Sequence, residues 1–388
     1  MTGERGGFDE WTYARLADFM QKARDAGRSE EEVTGLASGI LTEAIDKVAP
    51  AIVQRLVSSK RQMIASHNRV NARFERLLRV HWAPGLDSLY SVIVASEEHS
   101  GEFYRRHRST NAISIDLFDA LAGLQARACR VAFEIHALLS RGFALGALAR
   151  CRTLYELAVT SIVLGEFGKP DRCSDLASRF LEHEAIANLK DARDFQNHAA
   201  SLGERPFTVA EMARAQRRYD RVIEKYGREF REPYGWAVPL FAAKPNPKFS
   251  DLEQLAEFAF YRPFYKRSSH EVHSGSKGFK MNITEGKRGK RLETGRSLEG
   301  LAEPGNLTAM LLTQCTSSYL VDSVNTASPE SMLALKSIIL LTDESSSRLN
   351  MGTSSLERVE VNRGLRNLRI DAWGSGRRRH IRRVYVHD

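Results

Sequence analysis

Apolar residues recur at helical spacing through most of this chain, while Gly and Pro fall mainly between the periodic stretches. The pattern predicts helices near 9–26, 29–49, 51–81, 85–106, 112–141, 143–167, 172–198, 208–226, 250–274, 306–326 and 329–343. Ser29-x-x-Glu32, Thr208-x-x-Glu211 and Ser250-x-x-Glu253 fit the capping box, in which side chains satisfy the orphan amides at a helix start. Pro50 and Pro84 read as breaks or turns, since proline removes an amide donor and clashes inside a helix. Between Gly227 and Lys248, Pro233, Pro239, Pro245 and Pro247 exclude a long helix, and Tyr234, Trp236 and Phe241 are expected to dock on the core. From Ser345 onward the pattern changes. Val359, Val361, Ile370, Val384 and Val386 lie in short stretches that suggest a small hairpin or a tail that orders on a partner. No internal repeat and no coiled coil is read.

The expected fold is all-α. Residues 1–66 form an N-terminal helical extension, 67–345 a multi-helix core domain carrying the site, and 346–388 a small basic appendage.

Two sets of polar residues interrupt the apolar periodicity. Tyr261, Tyr265, Ser269 and His273 stand four apart, so on one helix they form a slowly winding ridge where a core helix would carry Leu or Val. In the 143–167 helix, Leu148, Val159, Val163 and Phe167 point within about 60° of one direction, and Arg152 and Glu156 fall inside that apolar arc. Opposite charges one turn apart on a buried face pair, because either one alone carries a large desolvation cost. The pair is either a bridge that fixes register or one wall of a cavity shared with the Tyr261–His273 ridge.

Charge placement adds to this picture. The net charge is +9 over 388 residues, and it concentrates in two segments. One, from Gly275 to Arg296, contains Lys277, Lys280, Lys287, Arg288, Lys290, Arg291 and Arg296. The other is the Arg-rich stretch from Met351 to the end. Such confinement fits a footprint for RNA or another polyanion, and a solvated loop plus a basic tail is the bland alternative. Cys129, Cys151, Cys173 and Cys315 are far apart and suggest free thiols rather than a zinc ribbon or a disulfide framework. A polar start and the lack of a stretch of about 18 to 20 apolar residues point to a cytoplasmic protein that does not enter a membrane. No metal-ligand cluster, P-loop or cofactor motif is read, so no cofactor and no metal are expected.

The stretches Arg152-Thr-Leu-Tyr-Glu156, Tyr261 through His273, and His81 through Tyr90 resemble a bacterial family of helical proteins of unknown function, over about residues 70–280. Arg267 followed by His273 is more distantly similar to HEPN nucleases. That resemblance implies RNA cleavage without a metal, with His273 as acid or base at the 2′-hydroxyl, Arg267 on the scissile phosphate, and a homodimer. Arg267 departs from the pattern because six residues place it about 120° from His273 on an ideal helix, and Glu271 competes for it.

The expectation is therefore an endoribonuclease of a toxin or phage-defence type. Its catalytic residues would be His273, Arg267 and Glu156, with Arg152, Tyr261, Tyr265, Ser269, Lys277 and Lys280 binding substrate. The rival reading is a non-catalytic helical module that binds nucleic acid or a small anionic ligand; a third is a scaffold whose polar cluster only sets the fold.

Overall fold

The computed structural model describes residues 16–286, 289–292 and 294–362. After a helical segment over 16–25, the described helices are α1 (Glu30–His107), α2 (Ile115–Leu139), α3 (Ala144–Phe167), α4 (Leu176–Glu182), α5 (Glu184–Leu202) and α6 (Val209–Tyr226). They continue as α7 (Phe249–Leu255), α8 (Arg262–Val272), α9 (Ser276–Met281), α10 (Ala302–Asp322) and α11 (Pro329–Asn362). A short hairpin, β1 (Ile283–Gly286) with β2 (Gly289–Leu292), is the exception to an all-α fold among the described residues.

Two units divide the chain. One holds the described residues up to Leu77, most of the hairpin and the end of α11; the other holds Leu78–Ile283 and Leu292–Arg358. In the second unit α2, α3 and α10 pack on one another. Leu117, Ile135, Leu154, Val163 and Leu312 are all fully buried there. Phe103, Phe118 and Tyr319 form an aromatic cluster with ring centroids 5.0 to 5.9 Å apart, a geometry that adds to simple area burial.

Neither of the two predicted proline breaks occurs. The single helix α1 runs through both Pro50 and Pro84. Each proline is exposed, so the helix carbonyl that loses its amide partner faces water. Around Pro84 the helix is also clamped: Trp82, Leu86 and Leu89 are buried, and Trp82 Nε1 donates to the Leu298 carbonyl at 2.9 Å. Gly85 permits a close approach, since a Cβ there would lie 2.9 Å from Leu349 Cδ2.

Leu349 itself is fully buried, and Gly352 receives the Trp82 ring. These contacts explain why α11 continues to Asn362 instead of ending near 343. Val359 and Val361 are thus helical, while Ile370, Val384 and Val386 lie outside the described residues.

Capping boxes form at Ser29/Glu32 and Thr208/Glu211. The one expected at Ser250/Glu253 does not. There α7 begins a residue earlier, Asp251 accepts from the Lys248 amide at 2.6 Å, and Glu253 turns inward to become fully buried. The expected 250–274 helix is also broken. Glu257 adopts φ 53°, a left-handed conformation that ends α7, and a 3₁₀ turn over Ala259–Tyr261 leads into α8. The 172–198 stretch likewise divides into α4 and α5 at His183. The proline-rich segment forms two 3₁₀ turns, Arg228–Arg231 and Gly235–Leu240, docked by Trp236 edge-on to Phe180 at 5.2 Å.

Candidate functional site

α3 packs against α7 and α8, which brings the two polar exceptions of the sequence together. Leu148, Val159 and Val163 of the α3 arc are buried, whereas Arg152 and Glu156 are half-buried at its edge, beside α8. Arg152 Nε donates to Glu156 Oε1 at 3.1 Å, and the Tyr265 hydroxyl donates to the same oxygen at 2.9 Å. The Arg152 guanidinium also lies over the Tyr265 ring, 5.3 Å from its centre, a favourable placement for a cation. Burial, followed by the bond to Glu156, pushes the Tyr265 hydroxyl up to about 12, so it remains a donor at neutral pH.

The remaining end of the guanidinium reaches His273. Arg152 Nη1 lies 2.9 Å from His273 Nε2. Arginine has no acceptor, so Nε2 receives this bond and the ring hydrogen sits on Nδ1. His273 caps the C-terminus of α8, its amide donating to the Ser269 carbonyl at 3.2 Å, and its side chain is exposed. α9 then folds back on α8 through Gly278, where a Cβ would come within 2.2 Å of the His270 carbonyl oxygen and 3.3 Å of that of His273. Lys277 and Lys280 are exposed on α9.

A second, deeper polar group supports the first. Glu253 is fully buried, its carboxylate accepts from Arg262, and Tyr155 Oη lies 3.0 Å from Glu253 Oε1 and 3.1 Å from the Phe258 carbonyl, sharing one hydrogen between them. Burial raises both the Glu253 carboxyl and the Tyr155 hydroxyl from their ordinary values. The rings of Tyr155, Phe249 and Tyr265 pack edge-on or tilted, with centroids 5.1 to 6.1 Å apart, and join the two groups.

Of the residues singled out in the sequence, Arg152, Glu156, Tyr265 and His273 form one connected network. Arg267 instead pairs with Glu303 of α10 at 2.9 Å and neighbours Glu271, whose carboxyl is raised by burial. Ser269 Oγ donates to the Tyr265 carbonyl within its own helix at 2.8 Å. The Tyr261 ring, at the start of α8, packs on Phe260 and Phe258 at 4.2 and 5.0 Å. Of the ridge expected over 261–273, Tyr265 and His273 join the network, since α8 spans Arg262–Val272 with Tyr261 before its first residue and Ser269 bonded within the helix. Tyr155, Glu253 and Arg262 are not singled out by the sequence as site residues: Glu253 reads as a helix cap, and Tyr155 enters only within the Arg152-to-Glu156 stretch. Among the described residues no group of three His, Cys, Asp or Glu is placed to hold a metal ion, and no helix is long and apolar enough to cross a membrane.

The whole cluster falls within a single family match. Residues 118–290 match the model of DUF5677, a family of unknown function. The match runs from α2 to the hairpin and includes Arg152, Glu156, Tyr265, His273, Lys277 and Lys280; residues 81–90 lie before it. No curated protein and no solved structure matches the chain. The DUF5677 match supports the first resemblance drawn from the sequence, while the likeness to HEPN nucleases gains no support from these comparisons.

Proposed function

We propose that the His273 end of α8 is a phosphodiester site at which this protein holds and cuts RNA, in the cytoplasm. The observation that carries this reading is the 2.9 Å contact from Arg152 to an exposed imidazole. Arg152 is anchored through Nε to Glu156, which leaves its Nη atoms directed toward the surface. A phosphate is a stronger partner for a guanidinium than a neutral imidazole is. When Arg152 turns to the phosphate, the Nε2 lone pair of His273 is released as a base. The 2′-hydroxyl proton passes to Nε2, the 2′-oxygen bonds to phosphorus, and the bond from phosphorus to the 5′-oxygen breaks as that oxygen takes a proton from water. Tyr265 and Glu156 act as positioning residues that hold Arg152. Lys277 and Lys280 supply charge for the neighbouring phosphates, and an open site at the protein surface suits an extended polyanion.

Total RNA incubated with the protein in chelator tests this. The wild type is expected to cut, and His273→Ala to lose about 10²- to 10⁴-fold in rate while RNA affinity and melting temperature stay near wild type. Recognition without cleavage is the second reading. It is favoured by the pairing of Arg267 with Glu303, which leaves Arg152 as the arginine in contact with His273. Salt-dependent RNA binding by a wild-type protein that never cuts would establish it and end the nuclease proposal.

A further inference from the structure

α1 carries a long apolar stripe that the described chain leaves bare. Leu41, Ile45, Val48, Ile52, Leu56 and Met63 lie within about 40° on either side of one line along the helix. Their spacing of four, three, four, four and seven averages about 3.7 residues per turn, the period of an 11-residue repeat and of a nearly straight helix pair. Apart from half-buried Val48, these residues are 38 to 56 % exposed, and residues 49–58 are exposed on every side of the helix. Along the same line the stripe ends in Phe74, which is buried. One exposed Leu needs no explanation, but an apolar seam about 33 Å long does.

We propose that residues 41–63 pair with the same stretch of a second copy of this chain, running antiparallel. With Ile52 at the crossing point, Leu41 meets Met63 of the second copy and Val48 meets Leu56, so apolar positions face one another there, and Ile45 meets the small Ser59. The flanking charges select the direction. Asp46 and Lys60 lie on the same side of the stripe, and the antiparallel arrangement sets each against the other across the pair. A parallel arrangement sets Lys60 against Arg55, which repel. The wider polarity of the helix agrees, since Glu30, Glu31 and Glu32 mark its beginning and Arg69, Arg73 and Arg76 follow the stripe. Such a pair would follow an 11-residue repeat, which a seven-residue template drifts off.

The test uses the full chain and light scattering on a sizing column over a dilution series. Wild type is expected at twice the mass of the chain, and Ile52→Glu with Leu56→Glu at the mass of one chain with unchanged helicity by circular dichroism. Lys60→Glu should weaken the pair by roughly tenfold, as two exposed ion pairs are lost, and adding Asp46→Lys should restore it. Val48→Cys protein mixed with Leu56→Cys protein should give a mixed disulfide that neither forms alone. Removal of residues 363–388 should leave the dimer intact. A monomeric wild type, a dimer indifferent to the glutamates, no rescue by Asp46→Lys, or loss of the dimer on truncation overturns the proposal.

Discussion

α3 and the first half of α1 break the rule of apolar inside and polar outside in opposite directions. α3 sits among other helices and admits Arg152 and Glu156 to the edge of a buried face, where each is held by a partner. Between Leu41 and Met63, α1 displays an apolar seam with no cover among the described residues. Both exceptions are costly by the same physics, since a half-buried charge needs a partner and exposed apolar surface orders water. In α3 the cost is offset within the chain, and what remains exposed is His273. In α1 nothing among the described residues offsets it, and the proposed second copy would. Buried polar groups here point toward chemistry, and bare apolar ones toward assembly.

Truncating each region should separate the two roles. Leu154→Ala in α3 removes a fully buried side chain and should lower unfolding free energy by about 2 to 5 kcal/mol. Ile52→Ala in α1, measured at dilutions where the chain is monomeric, should change it by less than about 0.5 kcal/mol. Equal losses in the two denaturant titrations would erase the contrast.

Gly278→Ala should come next, at about 1 to 3 kcal/mol, because its methyl collides with the His270 carbonyl and α9 must shift. The same variant should impair any RNA function of His273, since the backbone return that positions His273 is disturbed. Near-wild-type melting together with full RNA activity would show that α9 yields without consequence.

Arg152→Ala should cost about 1 kcal/mol, less than a fully buried pair would, because Glu156 is partly hydrated once its partner is gone. It should also weaken RNA binding, whereas a purely structural bridge would change melting alone.

The smallest effect concerns pH. The Glu253 carboxyl is raised in the folded state by burial, so the folded protein holds this proton more tightly than the unfolded one. Its contribution to stability is therefore greatest below the ordinary glutamate value of about 4.3 and is lost as pH rises through the raised folded value. Glu253→Gln should remove that downward slope, and the difference between the two stability curves across this window isolates it. A constant difference would mean that Glu253 does not titrate there.

Much of this molecule was legible in its sequence. Periodicity fixed the helical class, Ser29 and Thr208 with their glutamates marked helix starts, and Arg152 with Glu156 stood out as charges in an apolar arc. These features are local, encoded within one or two turns of helix. Other features depend on partners far away in the chain. The left-handed Glu257 that splits the expected 250–274 helix, the inward turn of Glu253 toward Tyr155 and Arg262, and the capture of Arg267 by Glu303 are of this kind. So is the passage of α1 through Pro84, where clamping by Leu349 and Leu298 outweighs a missing hydrogen bond. A sequence pattern states which face of a helix is apolar or charged. Only packing decides what that face meets, because burial and desolvation are set by neighbours, and those neighbours are brought by the fold.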